Sequence, residues 1–274
     1  MGRVVVLGSL NVDVVTRVER HPLPGETLLG EADGRFAGGK GGNQAMGARR
    51  AGADVVMVGA VGADEAGDAY LARLHAAGIG TAVTRDPEAP TGTAYIAVDD
   101  AGENTIIVVP GANGLVRDES VASVGIGPGD VLLCSLEVPL DTVARTALAA
   151  RRAGARVVLN MAPYAPLLWD AVAVCDPVVV NESEMRQLAD SDLVPGSLLV
   201  TFGAAGARWG EHQVDGIPVD AGDVVDTVGA GDAFCGALAA ALAAGADDAA
   251  ALEAANRAGA EAVRWAGAQP DAAL

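Results

Sequence analysis

Short apolar runs rich in Val and Leu, each ending in a glycine or a polar side chain and most followed by a helical stretch, recur along this chain. Such runs are Arg3 to Gly8, Val55 to Gly59, Val131 to Ser135, Arg156 to Asn160, Pro177 to Val180 and Ser197 to Phe202. A continuous apolar run has no polar face to turn to water, so it reads as a strand buried on both sides. Helices are expected up to about Ala51, over Glu65 to Ala77 (stopped by Gly78), Leu140 to Ala153, Ala233 to Ala244 (closed by Gly245) and about 247–265. Strand, polar or glycine-rich loop and helix, repeated, bury their apolar surface as a central, mostly parallel sheet with helices on both faces. Right-handed crossovers then place all the strand-end loops along one edge. The expected fold class is therefore three-layer α/β/α.

One passage breaks the repeat. Thr91 to Asp99 and Asn104 to Pro110 flank Asp100-Ala101-Gly102-Glu103 and read as a β-hairpin. Val14 to Val18 reads as an exposed strand, followed by a turn at His21-Pro22-Leu23-Pro24-Gly25-Glu26. Together they predict a small accessory sheet, drawn from about 12–20, 27–37 and 91–110, that covers the cleft as a lid. The rest, 1–274, is expected to be a single domain carrying that lid.

Composition narrows the partners. Aromatic residues are 3% of the chain, so the core has to be built from Ala, Val and Leu. The formal charge of −18 repels nucleic acid and anionic membrane, and an anionic small ligand would need a local positive site. Lys40 is the single lysine among eighteen basic residues and lies within Gly38-Gly39-Lys40-Gly41-Gly42, which points to a specific role for a compact, mobile charge. The loop is not a Walker A motif, since no Ser or Thr follows the lysine. Cys134, Cys175 and Cys235 have no CxxC spacing and read as small buried hydrophobes in a reducing compartment. With no apolar run of 18 residues and no signal-like N-terminus, the expectation is a cytoplasmic protein. His21, His75 and His212 are scattered and read as structural or surface residues.

The chemistry is expected in Val225-Asp226-Thr227-Val228-Gly229-Ala230-Gly231-Asp232. Glycines leave amides bare just ahead of an Ala-rich helix, at the positive end of its dipole, which suits an anion such as a phosphoryl group. Asp232 is either the cap of that helix or a base that takes a proton from an attacking hydroxyl while the amides hold the developing charge. Asn11, Asp13, Lys40, Asn43 and Glu137 lie at or near strand ends and supply donors and acceptors dense enough for a polyhydroxylated ligand. Asn181 and Glu184, three apart, either hold a hydrated Mg²⁺ or form a capping box. Thr201, Gly203 and Gly206 make a bare loop that can lie against a nucleotide. Asp226 and Gly267-Ala268-Gln269-Pro270-Asp271 bring oxygens that can surround a monovalent cation.

Taken in order, the motifs resemble those of the PfkB carbohydrate kinases, and among them the ribose kinases. The carrying residues are Gly8-Ser9-Leu10-Asn11-Val12-Asp13, Gly38 to Ala45, Gly111-Ala112-Asn113, Leu136-Glu137-Val138-Pro139-Leu140, Asn181 to Glu184, Thr201 to Gly206, Asp226 to Asp232 and Gly267 to Pro270. The resemblance implies ATP-dependent phosphorylation of a sugar hydroxyl, ribose above all. Asp232 would be the base, and the amides of Gly229, Ala230 and Gly231 the anion hole. Asn11, Asp13, Gly39, Lys40, Asn43 and Glu137 would hold the sugar, with Lys40 also able to meet the phosphoryl group. Asn181, Glu184, Thr201, Gly203, Gly206, Gly231 and Asn256 would serve the nucleotide, Glu184 reaching Mg²⁺ through water. Asp226, with the backbones of Val228, Ala262, Trp265 and Gly267, would hold an activating K⁺. The family also implies a homodimer clasped through the lid sheets.

Two departures stand out. Asp271 occupies a K⁺-ligand position where the family usually has Ser. The segment 186–200 and the tail after Gln269 are short. Other readings remain: a kinase of the same family for fructose, a deoxy sugar or a nucleoside, or a non-catalytic sugar- or nucleotide-binding protein. A Rossmann oxidoreductase is excluded, because Phe234 stands where its third glycine would be.

Overall fold

Val4–Leu7 (β1) has every residue buried, and it is the strand on which the sheet pivots. A computed structural model describes residues 2–270 and 272–274. On one side of β1 lie Val55–Gly62 (β4) and Gly80–Asp86 (β5). On the other lie Val131–Cys134 (β8), Arg156–Asn160 (β9), Val178–Asn181 (β10) and Leu198–Thr201 (β11), all parallel to it. Gly206–Trp209 (β12) and His212–Asp215 (β13) add an antiparallel hairpin at that end. Strand β5, and this hairpin beyond what reads as the last central strand, were not expected from sequence.

The chain leaves β1 in one direction to reach β4 and later returns to its other side at β8. Between those outward connections the strand order reverses, and in open α/β sheets ligands bind in the crevice such a reversal opens.

Alternate residues of β1 feed two cores. Val4 and Val6 pack with Met57, Leu133, Leu238 and Leu252 on one face; Val5 and Leu7 pack with Leu132, Val143 and Leu159 on the other. Among the largest fully buried side chains Tyr70 is the sole aromatic, as an aromatic-poor composition requires. Each fully buried Leu contributes about 1.5–3 kcal/mol, so many small apolar groups replace a few large ones.

The first face carries Lys40–Arg50 (α1), Glu65–Ala76 (α2), Ala230–Ala243 (α7) and Asp248–Ala262 (α8). The second carries Asp118–Ala122 (α3), Leu140–Arg152 (α4), Trp169–Ala173 (α5) and Glu182–Ala189 (α6). Helix α7 is apolar and buried along most of its length, because it lies between α1 and α8. A Cβ on Gly236 would sit 2.5 Å from the Gln44 carbonyl oxygen and the Ala48 amide nitrogen, so α1 and α7 touch backbone to backbone.

A second, four-stranded sheet has the order Glu31–Gly38 (β3), Asn11–Arg17 (β2), Gly92–Val98 (β6), Asn104–Val109 (β7). It contains the expected hairpin and the expected N-terminal strands, with a register shift between Val15 and Thr16. Strand β2 starts a few residues after β1 ends, and β3 feeds into α1 through Gly39. This second sheet, the candidate lid, therefore grows directly from the main sheet's reversal point.

Candidate active site

Helix α7 starts earlier than the sequence suggests. Its cap is Gly229, in the left-handed conformation at φ 78°, and Asp232 lies inside the first turn. The capping role open to Asp232 is thus taken by a residue with no side chain. A Cβ on Gly229 would lie 2.4 Å from the Ala268 Cα, so both its conformation and its crowding require glycine.

The Asp232 carboxylate turns instead toward α1. One oxygen accepts from Asn43 Nδ2 at 3.0 Å and the other from Gln44 Nε2 at 2.9 Å, and the residue is 6% exposed. The Ala233 amide donates to the Gly229 carbonyl and the Ala230 amide to that of Thr227. Of the three amides expected to form the anion hole, that of Ala230 is therefore engaged, while those of Gly229 and Gly231, and that of Asp232 as well, find no acceptor among the described residues. Apart from its own helix turn and chain neighbours, nothing lies within 4 Å of where a Gly231 Cβ would be, so that turn faces open space. Free amides at a long helix's N-terminus, beside a fixed carboxylate, match the requirement for an anion and a base side by side.

Lys40 begins α1, after Gly39 at φ 83°, a conformation that L side chains rarely adopt. What reads in sequence as a glycine-rich loop is therefore largely the first turn of a helix. The Lys40 pKa is raised: the Asp232 carboxylate is the largest cause, burial opposes it, and Glu137 and Glu184 add to it. A cavity of about 120 Å³ is lined by Lys40, Gly229, Gly231 and Asp232 on one side and by Asn160, Asn181, Glu184 and Thr201 on the other.

Across Asp232 from this cavity lies a cluster of polar groups at the base of the lid. Asn113, 1% exposed, donates through Nδ2 to the Leu10 carbonyl at 3.1 Å and to Asn11 Oδ1 at 2.8 Å, and accepts from the Leu10 amide at 2.9 Å. With its oxygen engaged, Asn11 has its amide nitrogen left to offer. Glu137 accepts from the Ser9 hydroxyl, and from the Lys40 amide at 3.1 Å, so one of its oxygens is committed to closing the N-terminus of α1. Burial, then the Glu137 and Asp232 charges, push the Asp13 carboxyl up from 3.8 to about 7. Three carboxylates and a lysine thus share the ground between the lid and α7.

The pfkB family carbohydrate kinases match residues 1–273. The chain belongs to that family. It is 36% identical to the ribokinase of Bacillus subtilis (strain 168) over 283 aligned residues, covering 98% of this chain and 95% of that protein. The ribokinase structure from Thermotoga maritima superposes with a TM-score of 0.87 at 29% identity, over 98% of this chain and 95% of that one. The Arabidopsis thaliana ribokinase complexed with ribose and ATP gives a TM-score of 0.84 at 29% identity, over the same shares.

On the cavity side of Asp232 the polar residues Asn181, Glu184 and Thr201 are less buried. Asn181 and Glu184 form a true capping box: Asn181 Oδ1 accepts from the Ser183 and Glu184 amides, and Glu184 Oε2 accepts from the Asn181 amide at 2.8 Å. The box leaves Glu184 Oε1 without a hydrogen bond among the described residues, on a residue that lines the cavity. Burial first, with Asp232 adding, raises the Glu184 pKa against the pull of Lys40. A hydrated Mg²⁺ fits such a site, since it needs only one or two protein oxygens. Thr201 closes the end of β11, Gly203 opens a short turn at φ 55°, and Gly206 starts β12. Asn256 donates to the Asp215 carbonyl at 2.9 Å, which ties α8 to β13.

The Asp226 carboxylate accepts from the Val228 amide at 2.9 Å and from the Gly267 amide at 3.0 Å, drawing two loops together. The carbonyls of Val228, Ala262, Trp265 and Gly267 accept no backbone hydrogen bond from the described residues. A monovalent cation fits this donor set of one fixed carboxylate with carbonyls at the negative end of α8. Asp271 lies outside the described residues.

Gln44, Ser9, Asn113, Asn160 and Gln269 belong to the site without having been assigned to it from sequence. For Gln44 the signal was its place beside Asn43. Asn160, at the end of β9, obeyed the strand-end rule that singled out Asn11. Gln269 had been read only as part of the turn that brings oxygens to a monovalent cation, not as a partner of Asn43.

Proposed function

We propose that the protein transfers the γ-phosphoryl group of MgATP to the terminal hydroxymethyl group of a small sugar, D-ribose first among them, giving ribose 5-phosphate and ADP. The observation that carries this reading is the pairing of the buried, doubly hydrogen-bonded Asp232 carboxylate with the free Gly231 and Asp232 amides. In the proposed reaction Asp232 accepts the proton of the attacking hydroxyl. The oxygen attacks phosphorus, the bond to the β-phosphate bridging oxygen breaks, and ADP leaves. Charge building on the equatorial oxygens is met by the amides at the start of α7 and by Lys40, whose raised pKa keeps it cationic.

Asn11, Asp13, Gly39, Lys40, Asn43 and Glu137 are assigned to the sugar; their clustering beneath the lid supports this. Asn181, Glu184, Thr201, Gly203, Gly206, Gly231 and Asn256 are assigned to the nucleotide. Mg²⁺ would be held through Glu184 by way of water, and K⁺ by Asp226 with the Val228, Ala262, Trp265 and Gly267 carbonyls and Asp271. These ions would neutralise phosphate charge and stiffen the loop ahead of α7.

A homodimer through the lid is supported by the outer strand of that sheet. Ile106, Ile107, Val108 and Val109 are all exposed there, near exposed Tyr95, an apolar row that a second copy would cover. No helix is long and apolar enough to cross a membrane among the described residues, and all three cysteines are buried and free, which is in keeping with a cytoplasmic location.

The deciding experiment measures ADP formation against a panel of free sugars and nucleosides, with and without K⁺. Turnover on ribose well above all others, raised by K⁺, is expected. Preference for another sugar would keep the mechanism and move the specificity. No turnover on any would favour a binding protein.

A further inference from the structure

A chain of hydrogen-bonded side chains, half-buried at its outer end and buried within, reaches Asp232 from the opposite side of the first helical layer. Arg73, on α2, donates through Nε to Gln269 Oε1 at 3.2 Å, and through Nη2 to the Pro270 carbonyl at 3.1 Å. Gln269 Nε2 donates to Asn43 Oδ1 at 2.8 Å, and Asn43 Nδ2 donates to Asp232 Oδ2 at 3.0 Å. Gln269 is 1% exposed and Asn43 8%, so water does not compete for the two inner bonds, while the Arg73 end is half-buried.

The direction of the chain is fixed at its far end. An amide presents a carbonyl on one side and an NH₂ on the other, and nothing within an isolated Asn or Gln decides which faces where. A guanidinium has only donors. Facing Arg73, Gln269 must turn its carbonyl outward and its NH₂ inward. Asn43 must then turn its carbonyl to Gln269 and its NH₂ to Asp232.

We propose that Gln269 is a positioning residue: it passes the donor-only polarity of Arg73 through Asn43 so that the Asp232 carboxylate always meets an NH₂ and never a carbonyl. The inference rests on Asp232 acting as the base. Gln269 touches neither reacting atom. Its sequence position, two residues after the Gly267 amide that holds Asp226, couples the same loop to both aspartates.

Gln269→Glu tests the polarity directly, because the shape is kept while both side-chain oxygens become acceptors. Asn43 would then turn its NH₂ toward position 269 and its carbonyl toward Asp232, a contact that favours the protonated acid. The expected result is a kcat lowered about 10–100-fold with the KM for ATP within about two-fold. The acidic limb of kcat should also move upward by about one pH unit.

The other titratable groups facing Asp232 are Lys40, Asp13, Glu184, Tyr70 and Cys235, all unchanged in this variant. Gln269→Met, of similar size but with neither donor nor acceptor, leaves Asn43 free to choose. It should lower kcat less than Gln269→Glu and leave the limb in place. Wild-type kcat in Gln269→Glu, or equal losses in both variants with no movement of the limb, would overturn the proposal. If Gln269→Glu does not fold, Gln269→Met decides: a kcat at least about five-fold down at unchanged KM for ATP supports the relay, and a wild-type kcat sinks it. Asp232→Asn is measured alongside. Turnover retained there would remove the base assignment itself, whereas an inactive Asp232→Asn beside a wild-type Gln269→Glu would remove only the relay.

Discussion

The two halves of the site differ in how finished they are. On the lid side of Asp232, Asn11, Asn43, Asn113 and Gln269 are each at most 8% exposed and every one is hydrogen-bonded. On the cavity side, Asn181 is exposed and Glu184 and Thr201 half-buried, and the turn that begins at Gly203 faces solvent. The difference follows from location. The lid half sits where the sheet's strand order reverses, enclosed by α1, α7 and β2. The cavity half lies at the ends of β9, β10 and β11, between α6 and the first turns of α1 and α7, with a short solvent-facing turn beside it. A preorganised half lowers the ordering cost of a small neutral ligand that brings little binding energy. An open half suits a large, highly charged ligand that brings its own.

The largest expected effect comes from breaking the boundary between the halves. Asp232→Asn keeps shape and loses the base, so kcat should fall by about 10³-fold or more while sugar affinity, read by calorimetry, stays within about three-fold. Substantial retained turnover would mean the boundary is elsewhere. Next is Asp13→Asn, which tests how strained the buried half is. The Asp13 pKa is raised from 3.8 to about 7 in the folded protein, so its contribution to stability is full below about pH 4 and lost as pH rises through about 7. The variant should therefore match wild type in thermal unfolding near pH 4 and exceed it near pH 8, by roughly 4 kcal/mol. Its sugar KM should rise about 10–100-fold from the lost charged hydrogen bond. Equal pH dependence in the two proteins would show that Asp13 titrates normally.

Asp226→Ala releases two loops from one carboxylate. Loss of most monovalent-cation activation, with kcat about ten-fold lower at saturating K⁺, is expected; an unchanged K⁺ response would remove the cation site. The smallest effect sharpens the contrast from the open side. Asn256→Ala removes one partly solvated hydrogen bond to Asp215 and should cost at most about 1 kcal/mol of stability and raise the KM for ATP only a few-fold. A loss as large as that of Asp13→Asn would erase the distinction between the halves.

Much of this was legible in the chain, and the limits have identifiable causes. The apolar runs and the hairpin stand close to where the structure has strands, because burial on two faces and turn chemistry are local properties. Strand β5, Gly80–Asp86, went unread because Thr81, Arg85 and Asp86 interrupt its apolar pattern at an edge. Helix α7 was placed three residues late, because an aspartate before an Ala run reads as a cap. Gly229 takes that place only because Ala268, from the C-terminal loop, packs against it.

By itself the sequence determined the layered α/β architecture, the small second sheet and the membership of a carbohydrate kinase family. Hydrophobic period, turn residues and ordered motifs are all written within short windows. Tertiary structure alone decided which way Asp232 points and what holds it there. Asn43 and Gln44 reach it from another helix, and Gln269 stands 226 positions from the Asn43 it orients. Such contacts depend on the close crossing of α1 and α7 at Gly236 and on which face of each helix meets the other. No local pattern encodes that geometry, because it exists only once both cores are packed.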